Sequence, residues 1–385
     1  MAGVLLTRQV VAILAPMLSD LHGLIMEGVW EDAPIGERWR ATFASRPQAE
    51  ARGRAPLAPD LVFRLALAGE APSAPSGPPD FEQGELLAYY VQGAHVVAHF
   101  PRYGQLRLDL SRGATEGVIT RAALATHGVF EDLLAMGLSP HLRRRGMFLI
   151  HAFAAACPPL SANLADGGGG RGVGVLLVGD IGAGKTTTGL ALLHAGWKLL
   201  SNDSPILISE PARRPKSPDL GRHQEMSDSS GHAGRSPKSP DFGRHREMSD
   251  STNLRVLSYP GLLSAYPDTL ARFPELRGLN SLPEARQKVL FAAESVYPEV
   301  WADSAPPGAI IFPQVESRSE HALERLSAPE ALRLILPHAV EQWDREMIPV
   351  HLALLNQLVQ AAPAYRLRLG PDTGTIPATL ASALV

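Results

Sequence analysis

The chain of 385 residues has little cysteine, little net charge and no long apolar span. Its single cysteine is Cys157. One thiol excludes an internal disulfide framework and any cysteine-based zinc site, and it fits a reducing compartment, so a cytoplasmic location is expected. Lysine and arginine (36) nearly balance aspartate and glutamate (39), leaving a formal charge of −3. No global basic field therefore argues for nucleic acid as a partner. The opening stretch "MAGVLLTRQVVAILAPMLSDLHGLIMEGVW" is apolar, but Arg8, Asp20 and His22 interrupt it. A spanning helix needs roughly 20 apolar residues, and a secretory leader needs a charged start and a small-residue cleavage site. The expectation is an amphipathic or buried helix, with no membrane partner. Neither a guanine-reading [NT]-K-x-D motif nor an LSGGQ-type signature occurs, which argues against a GTPase or a transport ATPase.

The length allows two domains, and 45% apolar residues are ample for packed cores. Residues 48–60 and 71–80 are rich in Pro, Ala and Gly and read as loops. Around them, "DLVFRLAL", "ELLAYYVQGAHVVAHF" and "GQLRLDL" predict strands of a small sheet built from hairpins. "ATHGVFEDLLAMGLSPHLRRRG" predicts a helix pair. Its Arg143, Arg144 and Arg145 are read as a solvated helix end rather than a phosphate clamp, since cations sit well there.

The segment 208–252 has another character. "PKSPDLGRHQEMSDS" (215–229) recurs 22 residues later as "PKSPDFGRHREMSDS" (237–251). Two polar, proline-containing copies cannot bury a stacking face, so a disordered insertion is expected. "ADGGGGRG" (165–172) suggests a flexible hairpin tip. Further on, "LRVLSYPGLLSAYPDTLARFP", "RQKVLFAAESVY" and "GAIIFPQVE" read as loop, strand and strand. "SAPEALRLILPHAV" and "IPVHLALLNQLVQAAP" have helical spacing, with Ser327 and Glu330 forming a capping box. "AYRLRLG" predicts a terminal strand.

The chemistry concentrates in "GVGVLLVGDIGAGKTTTGLALLHAGWKLLSNDSPIL" (172–207). Gly179, Asp180, Ile181, Gly182, Ala183, Gly184, Lys185 and Thr186 match the Walker A pattern G-x-x-x-x-G-K-[ST] without deviation, and Thr187 continues it. An apolar strand precedes the loop and a helix follows. In that order glycines let backbone amides converge on one anion, and the helix adds the positive end of its dipole. Lys185 then reaches the β- and γ-phosphates, and the Thr186 hydroxyl serves a magnesium ion. A carboxylate should complete the metal site. Asp203 follows the next apolar strand, which allows one short helix of about fourteen residues and an immediate return strand, a minimal βαβ unit. An ordinary turn residue before Ser204-Pro205 is the other reading of Asp203.

These residues resemble the kinase domain of HPr kinase/phosphorylase and its HPr-kinase-like serine kinase relatives. There a phosphate loop, a short helix and a strand ending in a pair of aspartates follow in this order. "RRRGMFLIHAFAAA" is similar to the family's opening strand with its histidine, here His151, and "APPGAIIFPQVE…LERLSAPEALRLIL" resembles the C-terminal part. The resemblance covers residues 140–207 well and 253–370 loosely. It implies an α/β fold: a P-loop core of the HPr-kinase/phosphoenolpyruvate-carboxykinase type, with a smaller β-rich N-terminal domain. The expected division is 1–139 for that domain, and 140–207 with 253–385 for the kinase-like domain, interrupted by 208–252.

The activity implied is ATP- and Mg2+-dependent phosphorylation of a hydroxyl on a protein, a peptide or a metabolite, with homo-oligomerisation left open. Gly179 to Thr187 would hold the phosphates, Thr186 and Asp203 the metal, and Lys185, Asp203 and His151 would carry the chemistry. His151 reads equally as a core histidine with satisfied nitrogens. Where the family has the first aspartate of its pair, the proposed base, this chain has Asn202, and an amide is no base near neutral pH. Asp203 then serves twice, another carboxylate enters the site, or ATP binds without transfer. Glu210 is a weak candidate for a further metal ligand. Lys288 and Arg286 are candidates for a late-strand cation, against a solvated strand edge.

Overall fold

A computed structural model describes residues 16–45, 58–158, 172–209, 254–279 and 287–384. Segment 1–15, the glycine tract 165–171, Glu210, both repeat copies and Arg286 lie outside the described residues. The protein is mixed α/β, with several sheets.

The first eight strands share one sheet: β1 (Met17–Leu21), β2 (Leu24–Trp30), β3 (Leu61–Ala68), β4 (Phe81–Gln83), β5 (Leu87–Gln92), β6 (His95–Phe100), β7 (Gly104–Asp109) and β8 (Ala114–Thr120). Their order is β1-β2-β3-β8-β7-β6-β5-β4. Strands β2, β3 and β8 are parallel, and the run from β8 to β4 is an antiparallel meander. Helix α1 (Ala33–Phe43) carries the crossover that parallel β2 and β3 require.

The helix expected in the opening stretch is, over residues 17–30, a β1–β2 hairpin. It turns at His22 (φ 55°) and Gly23 (φ 89°), both left-handed, as a type I′ turn needs. Short apolar runs do not discriminate helix from strand; the two-residue turn does.

One face of this sheet is closed by aromatics. The Trp39 ring lies 5.7 Å from Trp30, 4.8 Å from Phe43 and 5.8 Å from Phe63. After α2 (Arg121–Ala125), helix α3 (Val129–Arg143) packs on the same face. Gly137 lets it come close, since a Cβ there would lie 2.9 Å from the Phe63 ring. The opposite face is wet, and the exposed residues Arg64, Glu116 and Arg107 lie side by side across β3, β8 and β7.

The next strands are β9 (Phe148–Leu149), β10 (Ala152–Ala156), β11 (Gly174–Val178), β12 (Lys198–Ser201), β13 (Ile206–Ser209), β14 (Leu254–Leu257), β15 (Leu263–Ala265), β16 (Val289–Phe291), β17 (Ser304–Ala305), β18 (Pro307–Val315), β19 (Ala322–Leu326) and β20 (Ala364–Leu369). Six of them form a second sheet, ordered β12-β10-β11-β18-β20-β19, with β11, β18 and β20 parallel.

Both faces of this sheet are covered. Leu190 and Leu193 of α4 (Lys185–His194) pack with Phe153, Val175 and Leu177 on one side. After α5 (Pro267–Leu270), helices α6 (Ala328–Ile335) and α7 (Ile348–Ala361) cover the other, where Ala154, Leu176 and Val178 face them. A last helix, α8 (Ile376–Ala381), lies beside α4. Alternating side chains thus enter two dry layers, which is why β10 and β11 read as unbroken apolar runs. The Ser327–Glu330 capping box opens α6 as expected. The stretch read as a loop after residue 252 contains β14, which joins a third sheet β17-β14-β13-β9.

The two regions meet in a dry joint. Trp343 stacks on Tyr89 with centroids 4.4 Å apart. Arg143 is not at a solvated helix end. Its side chain is 3% exposed and pairs with Asp344 at 2.8 Å, and Arg144 reaches the same carboxylate at 3.0 Å. A buried guanidinium persists only when paired, so the apolar cover supplied by Trp343 and the carboxylate beside it decide this outcome. The expected 139/140 division falls inside α3.

Candidate functional site

The glycine-rich loop joins β11 to α4 at the end of the central strands, where ligands of open α/β sheets commonly bind. Gly182 (φ 84°) and Gly184 (φ 102°) adopt left-handed backbone that bulkier residues resist. Gly184 has a second constraint: a Cβ would come within 2.6 Å of Leu369. Ala183 N–H closes a turn onto Asp180 O, and Thr188 N–H begins the helical ladder onto Gly184 O. Among the described residues, the amides of Gly184, Lys185, Thr186 and Thr187 have no acceptor. These are the orphan donors of a helix start, and an anion satisfies them.

The Lys185 ammonium occupies the mouth of the loop. It donates to the carbonyls of Gly179 and Asp180, and it lies 3.3 Å from His151 Nε2. His151 sits at a bend between β9 and β10, directly at the start of β10. Its other nitrogen, Nδ1, is 3.3 Å from Asp203 Oδ1. A neutral imidazole with its proton on Nδ1 satisfies both neighbours: it donates to the carboxylate and accepts from the ammonium. The electrostatics agree. Desolvation pushes His151 below the ordinary histidine value, Asp203 opposes that, and Lys185 and Lys288 add to it. Lys185 is also lowered, first by desolvation, with Asp203 and Asp180 pulling the other way.

Asp203 reaches this position by a different route from the expected one. The minimal βαβ unit does not form, because antiparallel β10 lies between β11 and β12. Helix α4 has 10 residues, not about fourteen. The inserted strand brings the His151 bend beside the end of β12, and backbone bonds tie the two: Ala152 N–H donates to Asp203 O at 2.9 Å.

Asn202 is engaged elsewhere. Its Nδ2 donates to Leu262 O at 3.2 Å, a bond that an aspartate carboxylate could not make. Lys288 is not on a solvated strand edge. Its ammonium lies 5.4 Å from the Tyr266 ring centroid, and its side chain lines the same cavity as the loop.

That cavity holds about 670 Å³. The glycine loop, Asp203 and the segment around Tyr259 line it, together with Glu131 and Asp132 of α3 and His127 just ahead of that helix. Two functional candidates were missed in the sequence. His338 stacks on His151 with centroids 6.1 Å apart and lies 3.8 Å from Asp180. Asp132 faces the cavity from α3. Neither carries a sequence signal, since His338 sits in a helical run and Asp132 in an ordinary acidic first turn.

Thr186 and Asp203 fit a divalent cation only as part of a larger set, because the described residues contain no group of three or more His, Cys, Asp or Glu able to hold one. Oxygen donors, a hydroxyl and a carboxylate, suit magnesium, which commonly takes few protein ligands alongside phosphate and water. No helix among the described residues is long and apolar enough to cross a membrane. No family model matches the chain, and no curated protein sequence does.

Proposed function

We propose that the protein is an ATP-dependent phosphotransferase of the HPr-kinase-like type, which moves the γ-phosphate to a hydroxyl of a protein or peptide serine or of a small molecule. One observation carries this reading. The unpartnered amides at the start of α4, the Lys185 ammonium, His151 and Asp203 converge on one cavity wall behind a G-x-x-x-x-G-K-T loop.

The amides from Gly184 to Thr187 and Lys185 would grip the phosphates, and Thr186 and Asp203 would hold Mg2+. The metal supplies charge neutralisation on the transferring phosphoryl group. Lys185 is held by two carbonyls and His151 in the present arrangement. On binding it exchanges these neutral partners for phosphate oxygens, a charge-assisted contact roughly twice as strong. His151 keeps Asp203 oriented while its own proton stays on Nδ1. Phosphoryl transfer passes through a loose transition state, so positioning and charge neutralisation carry most of the catalysis.

The bond from Asn202 to Leu262 favours a second reading, an ATP-binding regulatory module with weak or no transfer, because the side chain at the family's base position is committed to structure.

The test is labelled ATP with Mg2+, offered to peptides and metabolite extracts. Wild type should transfer label, and Lys185→Ala should lose transfer and bind ATP about 10- to 150-fold more weakly, the equivalent of roughly 1.5–3 kcal/mol. Tight ATP binding without any transfer selects the regulatory reading. No ATP binding by wild type ends both.

A further inference from the structure

The carboxylate that Asn202 does not supply is present on the opposite wall of the cavity. Asp132 lies in the first turn of α3, and its exposed side chain lines the cavity. No described residue hydrogen-bonds to its carboxylate. Its neighbour Glu131 is not equivalent, because Arg38 of α1 pairs with it at 2.9 Å. Asp132 is therefore the uncommitted carboxylate of that wall.

Beside it, Tyr259 is 6% exposed and lines the cavity with its ring, while its hydroxyl is sealed from solvent and has no hydrogen-bond partner among the described residues. The carboxylates of Glu131 and Asp132 act on it and, after desolvation, raise its pKa. A buried hydroxyl without a partner costs about 1–3 kcal/mol unless something else satisfies it. Asn202 belongs to this arrangement too. Its bond to Leu262 O anchors the Tyr259–Leu262 segment, so the residue in the base position buttresses the wall that carries Tyr259.

We infer that Asp132 marks the subsite for the acceptor hydroxyl and acts there as the general base. This rests on the kinase reading above. In the transfer step the acceptor oxygen bonds to the γ-phosphorus and its proton passes to the Asp132 carboxylate. The bond from that phosphorus to the β,γ-bridging oxygen breaks, and ADP leaves with the electron pair. Asp132 then releases the proton to solvent.

The surroundings suit a base. Desolvation comes first in raising Asp132 to about 7; Asp203 across the cavity and Glu131 on its own helix add to it, and Lys288 opposes them. His127, at the entrance to α3, and Arg38, held by Glu131, are the other charged groups nearby. A base with that affinity is half ionised near neutral pH, where proton transfer is most effective.

The experiment compares wild type and Asp132→Asn. It measures Mg-ATP affinity, Mg-ATP turnover from pH 5 to 9 with water and with N-acetylserine amide as hydroxyl probes, and the thermal midpoint of the ATP-free protein over the same range. Asp132→Asn should bind Mg-ATP within about threefold of wild type, lose turnover about 100-fold, and lack the acidic limb of the wild-type profile near pH 7.

Stability gives an independent reading. A carboxyl raised in the folded state costs wild type stability as pH rises from about 4 to 7, and an amide does not. The thermal midpoint of Asp132→Asn should therefore overtake that of wild type between pH 5 and 8.

An Asp132→Asn protein with unchanged turnover and pH profile overturns the assignment and leaves the kinase reading intact. So does one with a lower midpoint at every pH, the mark of a side chain serving only the helix dipole. Wild type that binds Mg-ATP without turning over either probe also removes the base. If wild type does not bind Mg-ATP, the kinase reading falls first and takes this one with it.

Discussion

The protein contains two large sheets that solve the same problem differently. The eight-stranded sheet is dry on one face, under α1 and α3, and wet on the other, where Arg64, Glu116 and Arg107 lie in register. The six-stranded sheet is dry on both faces. A sheet with one open face can be crossed by antiparallel hairpins and needs alternating residues. One covered on both sides favours parallel strands, helical crossovers and continuous apolar runs. The difference places the site. The doubly covered sheet ends in the glycine loop, and the singly covered one contributes α3 as the far wall of the cavity. A rigid strand end and a helix from another layer face each other across the space where a ligand would sit.

The comparison can be tested most strongly at the joint. Asp344→Ala leaves the Arg143 guanidinium buried without its carboxylate. Removing one partner of a buried ion pair costs about 3–5 kcal/mol, so denaturant titration should show a large loss. If the two regions unfold as one unit, the whole transition should move; separate transitions would show that the joint is not cooperative.

Acid should act on both regions through buried histidines. His141 in α3 and His351 in α7 are each lowered to about 4, first by desolvation, with nearby arginines assisting. The unfolded chain takes up protons near pH 6.5 and the folded chain does not until about 4. Stability is therefore fully present above 6.5 and falls as pH drops toward 4. At roughly 1.4 kcal/mol per pKa unit, each contributes about 3–4 kcal/mol of the loss. His351→Gln should flatten that slope in thermal scans at a series of pH values, and an unchanged slope would mean that His351 does not stay neutral.

The smallest effect belongs to the wet face. Glu116→Ala removes an exposed charge between two arginines, and exposed pairs contribute 0.2–1 kcal/mol, less at high salt. A loss comparable to that of Asp344→Ala would show that this face is covered in solution.

Legibility followed the same divide. In the doubly covered sheet, β10 and β11 stand out as apolar runs, the G-x-x-x-x-G-K-T spacing lies between β11 and α4, and the α6 capping box is local chemistry. In the other sheet β3, β5, β6 and β7 were readable as short apolar runs, β8 was not marked, and β1 and β2 passed for a helix. Arg143 was misread for a related reason. Its partner Asp344 lies about 200 residues away, and no local pattern encodes such a pair.

Sequence alone determined the short-range features: the glycine loop with Lys185 and Thr186, the helix after it, and the cap at Ser327. Each depends on spacing within a few residues, which the backbone converts directly into geometry. Only the tertiary structure decided that β10 inserts between β11 and β12, so that His151 bridges Lys185 and Asp203. It alone set Asp132 and Tyr259 on the walls of the same cavity. Those placements depend on which surfaces bury one another, a competition among distant segments that no single stretch of chain records.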